Sequence, residues 1–187
     1  MGKINTCVFI SGKGSNLYNL IRKSREYSFP IKIKLIISNN ENSKGLVFAK
    51  KFSIPFLIIN TKKRNYELLI LKKIKKYNIS LICLAGYMKI VSRNFLSMYR
   101  KKIINIHPSL LPKYKGLNTF AKALQNKEKI MGCTVHFVNE KLDSGKIISK
   151  KSFYLEDGDN EQNLKYKTQK LEYLAFPEAI IKIFRNN

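Results

Sequence analysis

No stretch of this chain approaches the run of about 18 apolar residues that a membrane span requires. Its start, MGKINTCVFIS, passes straight into a strand-like segment without a small-residue cleavage site, so a cytoplasmic protein is expected. Histidine occurs only twice and cysteine three times in 187 residues. No pair of cysteines has metal-ligand spacing, and a zinc site would have to recruit both histidines and distant cysteines, so no metal is expected. Cys7, Cys83 and Cys133 are odd in number and each sits in or beside an apolar run, which reads as buried thiols and not as a disulfide framework. Acidic residues are also scarce, 12 against 36 basic ones, for a formal charge of +24. Such a charge invites a nucleic-acid reading. The lysines are nevertheless scattered over every helix-like segment, with no basic tail, aromatic-basic motif or helix-turn-helix pattern. A solvated basic surface suited to small anionic substrates is the favoured reading.

Hydrophobic residues make up 44% of the chain, enough for one domain with a sizeable core, and no linker or repeat divides residues 1–187. Short runs rich in Val, Ile, Leu or Phe at Cys7–Ser11, Ile31–Ser38, Pro55–Asn60, Leu81–Ala85 and Ile103–His107 read as buried strands. Between them Asn16–Arg25, Gly45–Phe52, Tyr66–Tyr77 and Ser92–Tyr99 carry helical periodicity. This alternation predicts an α/β fold: an open, mostly parallel twisted sheet with helices on both faces. The second half reads as a helix over Asn118–Lys127, strands over Gly132–Val138 and Lys146–Tyr154, and a terminal helix over Asp159–Phe184 with a break or kink at Pro177.

Three places carry candidate chemistry. Gly12-Lys13-Gly14-Ser15-Asn16 follows the first strand and opens the first helix, where glycine permits positive φ and a helix N-terminus holds an anion. It is neither a Walker loop nor a full dinucleotide fingerprint, since no third glycine follows and no acidic residue ends the second strand. A phosphomonoester site and a tight turn with Ser15 as helix cap both fit. Next, IINIHPSLLPKYKG at 103–116 places Asn105 and His107 two apart on one strand face, then stops at Pro108. With Asp143, in a Lys-Leu-Asp-Ser-Gly turn, they could serve direct acyl transfer to an amine. Asn105 and a protonated His107 would donate to the acyl oxygen, while Asp143 raises the His107 pKa and takes up the amine proton through water. Structural roles for all three remain open. No serine or cysteine has the context of a covalent nucleophile. Finally, LAGYMKIV at 84–91 turns at Gly86 and fits either core packing or an apolar wall for a flat heterocycle.

Five ordered motifs, ISGKGSN at 10–16, LAGYMKIVS at 84–92, NIHPSLLPKYKG at 105–116, GCTVHFV at 132–138 and LDSGKII at 142–148, resemble the formyltransferases that use 10-formyltetrahydrofolate. Within that family they resemble the enzymes acting on glycinamide ribonucleotide. The resemblance runs from about Cys7 to about Pro177 and implies a Rossmann-like formyltransferase fold with an antiparallel strand late in the chain. It implies formyl transfer from 10-formyltetrahydrofolate to the amine of glycinamide ribonucleotide, in de novo purine biosynthesis. On that basis Asn105, His107 and Asp143 are catalytic. Gly14, Ser15, Asn16 and Glu172 meet the ribonucleotide. Arg64, Met88, Lys89, Ile90, Val91, Asn105, Asn139, Glu140, Leu142 and Asp143 meet the folate. His136, which alternation along 133–138 would bury beside the sheet, becomes a supporting residue. Without the resemblance Arg64 is one of many exposed bases, and Glu172 an i,i+4 partner on a lysine-rich helix.

The chain departs from the family pattern at Asn118 and Phe120, where some relatives carry histidines, and at Ser144, where a glycine is common. The alternative enzymes are formyltetrahydrofolate hydrolase and methionyl-tRNA formyltransferase, each of which would call for a further domain. A different class is a basic RNA-binding module on an inactive fold. Small-molecule partners are expected, with no membrane contact, as a monomer or homodimer.

Overall fold

The structure is a computed structural model that describes residues 2–185. The chain divides into two compact units, the first ending at Ile104 and the second beginning at Asn105. The first contains β1 (Ile4–Ile10), α1 (Ser15–Ser24), β2 (Ile31–Ser38), α2 (Leu46–Lys51), β3 (Phe56–Ile58), α3 (Tyr66–Lys76), β4 (Leu81–Leu84) and α4 (Arg93–Met98). Its strands lie in the order β3-β2-β1-β4, and all are parallel where they pair. β1 is the pivot: the chain moves outward on one side through β2 and β3, then returns to place β4 on the other side. The carboxyl ends of β1 and β4 therefore form a topological switch point, where open α/β sheets bind ligands.

The periodicity located these elements, and the structure adjusts their ends. β1 begins at Ile4, three residues earlier than expected, because its polar residues find carbonyl acceptors: Asn5 Nδ2 donates to Tyr77 O at 3.3 Å and Thr6 Oγ1 to Ile4 O at 3.1 Å. β3 is shorter than the expected Pro55–Asn60 and lies at the edge, with Phe56 and Ile58 exposed instead of buried. The core of this unit is built from β1, β2 and β4, with Val8, Ile10, Ile36, Ile37, Leu81 and Ile82 fully enclosed.

The strand β5 (Lys102–His107) carries the chain into the second unit, which contains α5 (Thr119–Gln125), β6 (Ile130–Phe137), β7 (Ile147–Tyr154) and α6 (Glu161–Arg185). β6 and β7 are antiparallel, with a register shift at Val135/His136 that sets His136 opposite Ile147. Helix α6 packs on both strands and on α5. It runs unbroken through Pro177, so of the expected break or kink the break does not occur. Burial of Ala175, Phe176, Ala179 and Ile180 on either side of the proline holds the helix together against a cost of about 3 kcal/mol for an interior proline. Phe120 packs on the buried cluster of Ala123, Met131 and Leu164, and Asn118 adopts the left-handed conformation that starts α5, so both departures from the family pattern have structural roles here. The three thiols are free and buried, as expected. Burial pushes all three pKa values up, that of Cys133 to about 12 with help from the Glu172 charge.

Candidate active site

In the first unit, the loop after β1 is shaped by backbone meeting backbone. Gly14 has φ 74° and lies against Gly45; a Cβ on it would fall 2.5 Å from Gly45 Cα. Ser43 Oγ and the Gly45 N–H both donate to the Gly12 carbonyl, at 2.8 and 3.0 Å, and Asn40 Nδ2 donates to Ser11 O at 3.0 Å. The loop from β2 thus fastens the loop from β1. Gly14 is the N-cap of α1, so the alternative in which Ser15 caps the helix does not hold; Ser15 is the first helical residue. No acidic residue occupies the first turn, which leaves its positive end suited to an anion.

The turn after β4 is tied to the same place. Ser11 N–H donates to Gly86 O at 3.1 Å, and Met88 N–H donates to Ser11 Oγ at 2.8 Å while that hydroxyl donates to Asn39 Oδ1 at 2.5 Å. Met88 and Ile90 are 69% and 68% exposed, which excludes the core-packing alternative for both. Lys89 is exposed beside them, Val91 is half-buried, and Arg64 is exposed in the turn leading into α3.

In the second unit, residues far apart in sequence converge on one carboxylate. Asp143 Oδ2 accepts the Gly116 N–H at 2.8 Å and lies 3.3 Å from His107 Nδ1. Its Oδ1 lies 3.5 Å from both Asn105 Nδ2 and His136 Nε2. Asn105 Nδ2 is also 3.3 Å from His136 Nε2, and His136 Nδ1 is 2.8 Å from the Phe137 carbonyl. That carbonyl requires a donor, so His136 carries its hydrogen on Nδ1 and accepts from Asn105 with Nε2. His136 is thereby a direct member of the cluster. His107 Nε2 lies 2.8 Å from the Tyr114 carbonyl and carries a hydrogen there. Asp143 itself sits at φ 46°, a conformation that Asp tolerates, and the three residues after it lead into β7.

Electrostatics correct one expectation. Burial, the largest effect, moves the His107 pKa below its ordinary value, outweighing the Tyr114 carbonyl and the Asp143 charge, both of which raise it; His136 lowers it further. The charged donor expected from the sequence is therefore not the resting form at neutral pH. Burial, the largest effect, opposes ionisation of Asp143, but the Gly116 N–H and the electrostatic effect of the imidazole groups beside it bring its pKa below the usual carboxylate value. An ionised Asp143 facing the His107 Nδ1 lone pair is a poised arrangement. Any negative charge gathering nearby favours a proton on Nδ1, which turns that contact into an ion pair.

Asn139, Glu140 and Leu142 are exposed in the loop before Asp143, and Glu172 is half-buried on α6. Ser144 Oγ accepts from Lys115 Nζ at 2.6 Å and donates to Leu142 O at 2.8 Å, joining that loop to the turn at Gly116. Sequence reading missed Tyr114 and Gly116, which act through backbone groups at φ 54° and 75°. The glycine ending the KYKG motif was the only visible signal. Among the described residues no group of three or more His, Cys, Asp and Glu side chains could hold a metal ion, and no helix is long and apolar enough to cross a membrane.

Buried imidazoles and an amide gathered about an ionised carboxylate suit acyl transfer. The profile of the formyl transferase family matches residues 4–180, and the chain belongs to that family. It is 39% identical over 181 residues to the phosphoribosylglycinamide formyltransferase of Haemophilus influenzae, covering 95% of this chain and 85% of that one. It is also 41% identical over 179 residues to the trifunctional purine biosynthetic protein adenosine-3 of Drosophila melanogaster, covering 92% of this chain but only 13% of that protein's length. Among solved structures, phosphoribosylglycinamide formyltransferase from Brucella melitensis superposes with a TM-score of 0.91 at 35% identity, over 99% of this chain and 97% of that one.

Proposed function

We propose that residues 1–187 act as a single formyltransferase domain in the cytoplasm, moving the formyl group of 10-formyltetrahydrofolate onto the amine of glycinamide ribonucleotide in purine biosynthesis. The observation that carries this reading is the convergence of Asn105, His107 and His136 on Asp143, with distances of 3.3 to 3.5 Å. The names of the relatives support the choice of ribonucleotide over water or a tRNA as acceptor.

In this reading the folate supplies the formyl carbon, and the protein positions and protonates. Gly14, Ser15 and Asn16 hold the ribonucleotide phosphate on the N–H groups that open α1, with Glu172 on the ribonucleotide as well. The exposed Met88 and Ile90, with Lys89 and Val91, offer apolar surface and backbone groups to the flat pterin, and the fit is supported by large apolar side chains left uncovered at a strand end. Asn139, Glu140 and Leu142 contribute from the loop before Asp143, and Arg64 meets the folate tail. As the amine attacks, charge gathers on the formyl oxygen. Asn105 Nδ2, held only by long bonds of 3.3 and 3.5 Å, turns to donate to it. His107 supplies a second donor, its ring held by the Tyr114 carbonyl until the oxygen competes for the hydrogen. Asp143 accepts the amine proton through a water, and the proton is returned to the departing folate nitrogen. His136 keeps Asn105 in place.

The test is incubation with 10-formyltetrahydrofolate and, in turn, glycinamide ribonucleotide, methionyl-tRNA or water. Deformylation only with the ribonucleotide is expected, and His107→Ala should lower kcat/KM by about 10²–10⁴-fold, the range for a lost acid-base or oxyanion group. Near-normal transfer by a folded His107→Ala protein would overturn the mechanism.

A further inference from the structure

The first unit holds a second concavity, at the end of its sheet away from the Gly12–Gly14 loop. Its volume is about 530 Å³, within the range of small-molecule sites, and it is lined by residues that begin β1 and β2 and close α1, α2 and α3. Lys3 stands just before β1, while Lys32 and Lys34 lie near the start of β2; the glycine loop follows the last residue of the seven-residue β1. At about 3.3 Å per residue the two places are on the order of 20 Å apart along the strand.

The lining contains Lys3, Arg25, Lys32 and Lys34 and not one carboxylate. Lys3 is already committed, donating to the carbonyls of Ser24 and Glu26 at 2.7 and 2.5 Å and so closing the turn after α1. Among the described residues, Arg25, Lys32 and Lys34 have no carboxylate partner. Arg25 complements the carboxyl end of α1, a sufficient structural reason for one cation there. Lys32 and Lys34 are on a strand and terminate no helix, so the helix dipole does not account for them. Like charges gathered around one concavity repel, and an anion seated among them removes that cost. The Arg25 guanidinium is held 4.8 Å over the Phe52 ring, which presents its donors in a fixed direction. Tyr77, Ile54 and Pro55 complete the wall with aromatic and apolar surface.

We propose that this concavity binds a nucleoside phosphate, its phosphates on Lys32, Lys34 and Arg25 and its base against Tyr77, Ile54 and Pro55. The site is separate from that of the proposed reaction and does not depend on that reading. The test is calorimetric titration of the full chain with ADP, with pyrophosphate, adenosine and a 20-nucleotide oligouridylate as comparisons. One ADP per chain is expected, with pyrophosphate weaker and adenosine undetectable. Lys32→Gln/Lys34→Gln should weaken ADP at least tenfold, and Arg25→Gln should also weaken it, while Lys165→Gln/Lys170→Gln, which removes the same charge from α6, should change it less than twofold. The proposal is overturned if ADP does not bind at millimolar concentration or if the two lysine pairs matter equally. It is overturned too if pyrophosphate binds as well as ADP, or if oligouridylate binds far more tightly than ADP.

Discussion

Replacing Gly14 by alanine tests how the glycine loop is built. At φ 74° an L-residue suffers about 1–2 kcal/mol of local strain. The new methyl would also fall 2.5 Å from Gly45 Cα and 3.5 Å from the Phe48 ring. The first of these partners is backbone, fixed by the Gly45 N–H bond to Gly12 O at 3.0 Å, so the loop and α2 must separate. Overpacking of that kind costs about 1–3 kcal/mol. The two contributions sum to about 2–5 kcal/mol, a large part of the roughly 5–15 kcal/mol that holds a domain folded. With a urea slope near 2 kcal/mol per molar, the midpoint should fall by about 1–2.5 M. Gly12→Ala is the control, because nothing lies within 4 Å of its Cβ position and its φ is not in the left-handed region. It should stay within about 0.5 kcal/mol of the parent. In transfer assays Gly14→Ala should raise KM for the ribonucleotide more than it lowers kcat. If both variants denature with the parent, the account of the loop as glycine packed on glycine is wrong.

The site should also govern stability against acid. His107 and Asp143 both have folded-state pKa values below their ordinary ones, so the unfolded chain takes up protons first and stability is lost as pH falls. The urea midpoint should begin to drop below about pH 6.5 from His107 and drop again through the carboxylate range from Asp143; in His107→Gln the first fall should vanish, and its persistence would assign it elsewhere. Gly145→Ala places a methyl 1.7 Å from the Phe137 carbonyl, between β6 and the loop bearing Asp143. It should lower the urea midpoint and the transfer rate together, and a fully active, stable variant would contradict the structure. Cys7, Cys83 and Cys133, all buried and protonated, should be inert to Ellman's reagent in the native protein and react as three thiols in denaturant; rapid reaction of any in the folded state would show that it is accessible.

Local chemistry made much of this protein legible in its sequence. Alternating apolar runs and amphipathic segments encode strands and helices wherever one face is buried, and all five early strand readings fall on strands. A strand cut short at His107-Pro108, a glycine turn before a helix and an aspartate before a glycine mark where polar groups leave the sheet. Tertiary structure decided the rest, because the decisive contacts involve backbone atoms or distances that no periodicity records. Gly14 needs Gly45, and Gly145 needs the Phe137 carbonyl. His107 takes its tautomer from the Tyr114 carbonyl through left-handed turns. His136 reads as a buried strand residue in sequence and becomes a partner of Asn105 through the register shift in β6. The sign of the His107 pKa shift depended on burial against two favourable neighbours, a balance set by how tightly the fold encloses the ring and by no residue's identity alone.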